Sequence, residues 1–78
     1  MGAYNATKIE ILSLLEEIGE LKAKEIADYL SKSHESVAMA LLRYHRQGLV
    51  SRYKSKGKTR IYKLTNRGLE RLEYFQSL

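Results

Sequence analysis

Residues 23–50 read AKEIADYLSKSHESVAMALLRYHRQGLV, and the periodicity of this stretch decides the fold. Val37, Ala40, Leu41 and Tyr44 recur at i, i+3, i+4 and i+7, the spacing that lines one face of a helix with apolar side chains. Ser33 precedes the stripe with an oxygen suited to the first free amides, and Glu35 in the first turn suits the helix dipole. Gly48 follows as the residue able to end the helix in a left-handed conformation, so the spacing predicts a helix from His34 to Gln47. Upstream, Ile26, Ala27 and Leu30 share one side of a second helix over Ala23 to Leu30, with Lys24 and Asp28 as an i,i+4 pair on the other. Ser31-Lys32-Ser33 separates the two.

On the N-terminal side, Ile11, Leu12, Leu15 and Ile18 predict a helix over about residues 7–18 that ends at Gly19. Thr7-Lys8-Ile9-Glu10 fits a capping box at its start, and Leu14 widens its apolar stripe. Glu20-Leu21-Lys22 is a brief extended link with Leu21 pointing inward. On the C-terminal side the period changes from 3.6 to 2. Leu49 to Lys54 and Thr59 to Leu64 are rich in Val, Ile, Thr and Tyr and predict two strands. Ser55-Lys56-Gly57-Lys58 is the hairpin loop between them, with Gly57 read as the residue that allows a tight turn. Thr65 caps a last helix from Asn66 to about Ser77. The expected fold is mainly α with a small β-hairpin, in the order α-α-α-β-β-α.

A chain of 78 residues with 44% apolar content has room for one compact core, so residues 1–78 are expected to form a single domain. There is no cysteine, hence no disulfide framework and no thiolate for zinc. No apolar run approaches the roughly 18 residues that span a bilayer, and Met1-Gly2-Ala3-Tyr4-Asn5 lacks the start of a signal peptide. The expectation is a cytoplasmic protein with no membrane partner. The net charge of +5 is unevenly distributed. Residues 1–35 hold four lysines against seven carboxylates, a net −3; residues 36–78 hold ten Lys or Arg against two Glu, a net +8. Such a basic end favours a polyanion.

Two helices joined by a three-residue turn and followed by a basic hairpin is the helix-turn-helix plus wing arrangement. The sequence resembles the winged helix regulators of bacteria and archaea, the broad group of MarR-, ArsR- and PadR-type repressors. Lys24-Glu25-Ile26-Ala27-Asp28-Tyr29-Leu30 is similar to the group's second helix. Ser36-Val37, then Leu41-Leu42-Arg43-Tyr44 and Gln47-Gly48-Leu49-Val50, resembles the recognition helix running into the first wing strand. Tyr62-Lys63-Leu64-Thr65-Asn66-Arg67-Gly68 resembles the second wing strand and the start of the next helix. Two features depart from the pattern: the second helix has Lys22-Ala23 where a Ser or Thr cap is usual, and Lys32 stands in the turn where an apolar residue is common. The resemblance implies a winged helix-turn-helix that binds double-stranded DNA as a transcriptional regulator, with helix 34–47 in the major groove and the wing, 50–64, on the backbone or in the minor groove.

With the apolar stripe inward, His34, Glu35, Ser36, Ala38, Met39, Leu42, Arg43 and Arg46 face outward. The N-terminal half of a recognition helix lies nearest the bases. Ser36 can donate or accept at a base edge, Glu35 can accept from cytosine N4 or simply stabilise the dipole, and Ala38 and Met39 can pack on a thymine methyl. Arg43 suits a guanine or a phosphate. On the hairpin, Arg52, Lys54, Lys56, Lys58, Arg60 and Lys63 bring six positive charges and no negative one, suited to sequence-tolerant phosphate contacts. Tyr62 shares its face with Leu64 and reads as core, whereas Tyr53 stays open.

Other classes fit less well. His34 and His45 are the only histidines and lie about 16 Å apart on one helix at about 1.5 Å per residue, too far to share a metal or a proton. No nucleophile elbow, phosphate loop or carboxylate pair is present, so an enzyme, a cofactor and a small-molecule substrate are not expected. A protein-protein assembly module and an RNA-binding module use the same fold and remain as alternatives. A homodimer is expected, because one small domain offers few base contacts and Tyr74-Phe75-Gln76-Ser77-Leu78 is more apolar than a lone terminus can bury.

Overall fold

The computed structural model describes residues 3–57 and 59–77, with side chains from Ala6 onward. Met1, Gly2, Lys58 and Leu78, on which parts of the readings of the chain start, the wing cations and the C-terminal apolar end fall, lie outside the described residues. The elements are α1 (Ala3–Ile18), β1 (Glu20–Lys22), α2 (Ala23–Leu30), α3 (His34–Arg46), β2 (Val50–Lys54), β3 (Arg60–Leu64) and α4 (Asn66–Gln76). This is a winged helix, with one addition to the order read from the sequence. The link at 20–22 is a strand, and the sheet runs β1-β3-β2 with both pairings antiparallel. Leu21 pairs with Tyr62, and both side chains are buried.

α1 starts a turn before Thr7, so Thr7 is an interior helical residue and not the cap. Residues 3–6 contain two alanines and no breaker, and once a helix is nucleated such a turn is added at little cost. The other caps form as the residues suggest. Gly19 (φ 109°) and Gly48 (φ 78°) take left-handed conformations after α1 and α3. The Ser33 hydroxyl accepts from the Ser36 amide at 3.1 Å. α2, which has no hydroxyl cap, uses Glu25 instead: its carboxylate accepts from the Lys22 amide at 2.8 Å. Lys32, out of place in an apolar turn, reaches the Glu10 carboxylate at 3.6 Å and ties the turn to α1. Both partners are substantially exposed, so this pair is worth under about 1 kcal/mol.

One cluster forms the core: Ile11, Leu12 and Leu15 from α1, Leu21 from β1, Ile26 and Ala27 from α2, the α3 stripe, Leu49, Val50, Tyr62 and Leu72. Each fully buried Leu or Ile contributes about 1.5–3 kcal/mol of transfer free energy. The corner between the wing and α4 is fixed by Thr65. Its hydroxyl donates to the Gly48 carbonyl at 2.7 Å and accepts from the Gly68 amide at 3.0 Å, while its own amide donates to the Leu49 carbonyl at 3.1 Å. That locks the end of the recognition helix, the start of β2 and the start of α4 together. No helix among the described residues is long and apolar enough to cross a membrane.

Candidate nucleic-acid interface

The Val37, Ala40, Leu41 and Tyr44 stripe is buried, which fixes the rotation of α3 and leaves a ridge of Glu35, Met39, Leu42 and Arg46 facing away from the core. Met39 stands at the ridge with 56% of its surface exposed. A groove runs along each flank. One is lined by Lys22, Ala23, Lys24, His34, Ala38, Thr59, Arg60 and Tyr62, between α3, the start of α2 and the wing. The other, on the α1 side, is lined by Thr7, Glu35, Ser36, Met39, Ala40, Arg43 and Tyr44.

The candidate residues of α3 therefore separate into three rows. Glu35, Met39 and Arg46 stand on the outward ridge or its edge, His34 and Ala38 face the wing, and Ser36 and Arg43 face α1. Arg43 lies beside the Tyr44 hydroxyl: burial pushes the Tyr44 pKa up, and the Arg43 charge and hydrogen bond pull against that rise.

In the wing, direct partners across an antiparallel pair share a face, and faces alternate along each strand. Arg52 pairs with Tyr62 and Lys54 with Arg60, so Arg52, Lys54 and Arg60 lie on the face that Tyr62 turns toward the helices. Lys63 pairs with Ser51 and lies on the opposite face, so the six wing cations do not form one surface. Lys56 is exposed at the loop, which the Ser55 amide closes on the Thr59 carbonyl at 2.8 Å. Gly57 is not in a left-handed conformation, and a Cβ there would meet nothing within 4 Å. A loop of this length closes without the special conformation that glycine supplies. Tyr62 is core, as its period indicates; Tyr53 is 45% exposed on the outer face and donates its hydroxyl to Glu20 at 2.5 Å.

Three contributors could not be read from the sequence. Lys22 and Lys24 belong to the acidic half of the chain, yet the pairing of β1 with β3 carries them beside Arg60 and His34. Lys8, taken as part of a cap, lies over the rings of Tyr44 (5.5 Å) and Phe75 (6.0 Å) and donates to Gln47 at 3.2 Å. Burial, and after it the charges of Arg71 and Arg43, hold its pKa below the usual lysine value. A periodicity argument sees only one element at a time, and all three placements depend on contacts between elements. Among the described residues no group of three His, Cys, Asp or Glu side chains could hold a metal ion.

No protein-family model matches the sequence, and no curated protein matches it. Solved structures do match it in fold. MepR, a transcription regulator of the Staphylococcus aureus multidrug efflux pump MepA, superposes with a TM-score of 0.82 at 25% identity over 90% of this chain and 53% of its own. A MarR family protein from Bacillus stearothermophilus gives 0.78 at 25% identity, over 87% of this chain and 48% of its own. Wild-type MarR from E. coli gives 0.83 at 21% identity, over 88% and 52%. A mutant of S. aureus MepR has been solved bound to an oligodeoxyribonucleotide. The chain spans about half the length of these structures. Its fold is the MarR-like winged helix-turn-helix, shared with the transcription regulator MepR.

Proposed function

We propose that the protein binds double-stranded DNA and acts as a transcriptional regulator, with α3 in the major groove and the wing on the phosphate backbone. The observation that carries this reading is the shared groove in which His34 and Ala38 of α3 meet Arg60 of the wing, Lys22 of β1 and Lys24 of α2. A helix end flanked on one side by the three cations Lys22, Lys24 and Arg60 matches the geometry of a helix seated between two phosphate strands. The MepR mutant bound to an oligodeoxyribonucleotide supports the same reading.

In this arrangement the ridge pair Glu35 and Met39 lies nearest the floor of the groove, and Ser36 on the α1 side and Ala38 on the wing side meet the base edges that flank it. His34, Arg43 and Arg46 flank them, while Arg52, Lys54, Lys56, Lys58 and Arg60 follow the backbone. The working unit is a homodimer: Tyr74 is 57% exposed and Phe75 half-buried on α4, and two copies double the few base contacts that one domain offers.

The test is a binding titration over a panel of duplexes. Glu35→Ala and Met39→Ala should redistribute affinity among sequences by about 1–3 kcal/mol at the bases they meet, whereas Arg43→Ala should weaken all duplexes alike. Uniform weakening by the first two variants would remove base reading from the ridge. On an inverted repeat with half-sites about 34 Å apart the same titration should end at two chains per duplex. One chain per duplex would overturn the dimer.

A further inference from the structure

We propose that the Tyr53–Glu20 hydrogen bond is a brace that fixes the wing hairpin against the body of the protein, and that Tyr53 is thereby a positioning residue for the wing's DNA contacts. The second half of this inference rests on the DNA reading above; the first half does not.

The sheet order β1-β3-β2 leaves β2 as an outer strand, joined by hydrogen bonds only to β3. β3 is hydrogen-bonded on its other edge to the three residues of β1 and is held to the core by Tyr62 and Leu64 near its C-terminal end. Beyond the Lys54–Arg60 pair the chain is a loop, so the hairpin is a lever held near one end. Tyr53 is one residue from that pair and lies on the outer face with Ile61, its direct partner. Its side chain passes over β3 and places its hydroxyl on the Glu20 carboxylate of β1, linking the two outer strands directly.

Glu20 is well placed as the fixed end. It follows Gly19, whose amide donates to the Leu15 carbonyl at 2.8 Å, and it precedes the buried Leu21, so its backbone is tied to α1 and to the core. The bond is charge-assisted, which makes it shorter and stronger than a neutral one. The carboxylate beside it, accepting the phenolic proton, also raises the Tyr53 pKa above its ordinary value. An exposed bond of this kind adds little to global stability, because water competes for both partners. Its effect is on orientation. A strand free to swing about β3 would spread Lys54 and Arg60 over many positions, and the entropy of ordering them would then oppose DNA binding.

The measurement is amide hydrogen exchange on the free protein, comparing the wild type with Tyr53→Phe, Glu20→Ala and the double variant. Tyr53→Phe keeps the ring and removes only the hydroxyl. Exchange across residues 52–60 should rise by roughly fivefold in each single variant, the factor that corresponds to one net hydrogen bond. The double variant should exchange no faster than either single one, because both remove the same interaction. Amides of α1 and α4 should be unchanged, and Tyr29→Phe, at an exposed tyrosine of α2, should leave exchange in the wing unchanged. Unchanged exchange in the wing, or additive effects in the double variant, would overturn the brace. Duplex affinity of Tyr53→Phe should fall by a comparable factor on every sequence. A wing that loosens with no loss of affinity would overturn the positioning role, while wild-type protein that binds no duplex at all would instead remove the DNA reading itself.

Discussion

Gly68→Ala should cost on the order of 3 kcal/mol or more of folding stability, the largest effect expected from any single methyl group in this protein. Gly68 opens the first turn of α4 and packs against the carbonyl of Leu49 at the start of the wing. A Cβ built there would fall on the Leu49 carbonyl oxygen, 2.9 Å from its carbon and 2.9 Å from a methyl of Leu64. The obstruction is backbone, and that backbone is held by the Thr65 amide and hydroxyl, so it cannot move aside without breaking the corner. Alanine in a helix gains about 1 kcal/mol over glycine, which the clash must exceed for the sign to be destabilising. Backbone overlap of this kind exceeds it. Domains of this size have about 4–12 kcal/mol in hand, and about 1 kcal/mol moves the midpoint by roughly 4–8 °C. Thermal denaturation followed by circular dichroism should therefore show a fall of roughly 12–24 °C. Gly57→Ala is the control, because its Cβ would meet open space and no left-handed backbone is required. A Gly68→Ala midpoint within a few degrees of wild type would mean that α4 and the wing do not meet this closely.

The second large effect is electrostatic. Replacing Lys54, Lys56 and Arg60 together by alanine removes the pair on the inner face of the wing and the exposed cation of its loop. If each meets one phosphate, the slope of log K against log salt loses about 0.9 per contact, or about 2.7 in all. Extrapolated from about 1 M, where screening removes this contribution, to about 0.15 M, that is a loss of the order of 100-fold in affinity. The loss should be the same on every duplex. Lys63→Ala is the comparison that distinguishes contact from mere charge, since Lys63 belongs to the same hairpin and carries the same charge on the other face. Its slope should stay near wild type. Equal effects from Lys63 and from each of the three would mean that only net charge matters and that the wing makes no defined contact.

The helix-turn-helix was legible because its evidence is local. The four-residue stripe of α3, the Ser33 cap, Gly48 and the Thr65 cap each act within a few residues of themselves, and each forms as its chemistry indicates. β1 was legible only as extended. Glu20-Leu21-Lys22 holds a single apolar side chain, and its status as a strand comes from pairing with β3, some forty residues away in sequence. The same non-local pairing explains why Lys22 and Lys24 were not grouped with the basic end, and why Lys63, counted with the other hairpin cations, lies on the opposite face from Arg60. Charge can be counted along the chain, but the face on which it lands is set by register. Ser36 and Arg43 show the finer version of this limit. Both are exposed outside the core stripe, and the rotation of α3 sets them beside the ridge, in the groove they share with Glu35, Met39 and Thr7 of α1. Thr7 failed for a different reason: its capping pattern is real in the sequence, but the alanines before it let the helix begin earlier.

The central claim is that one face of this protein, ridge and wing together, is built for duplex DNA. Its most direct measurement is the affinity of the wild-type chain for duplex DNA, duplex RNA and single strands of the same sequences, each at two salt concentrations. Tightest binding to duplex DNA is predicted, with at least some preference among sequences and an affinity that falls steeply as salt rises. Equal binding to duplex RNA and duplex DNA would contradict it, because the deep, narrow major groove of RNA cannot admit α3. So would the absence of any salt-dependent binding to either.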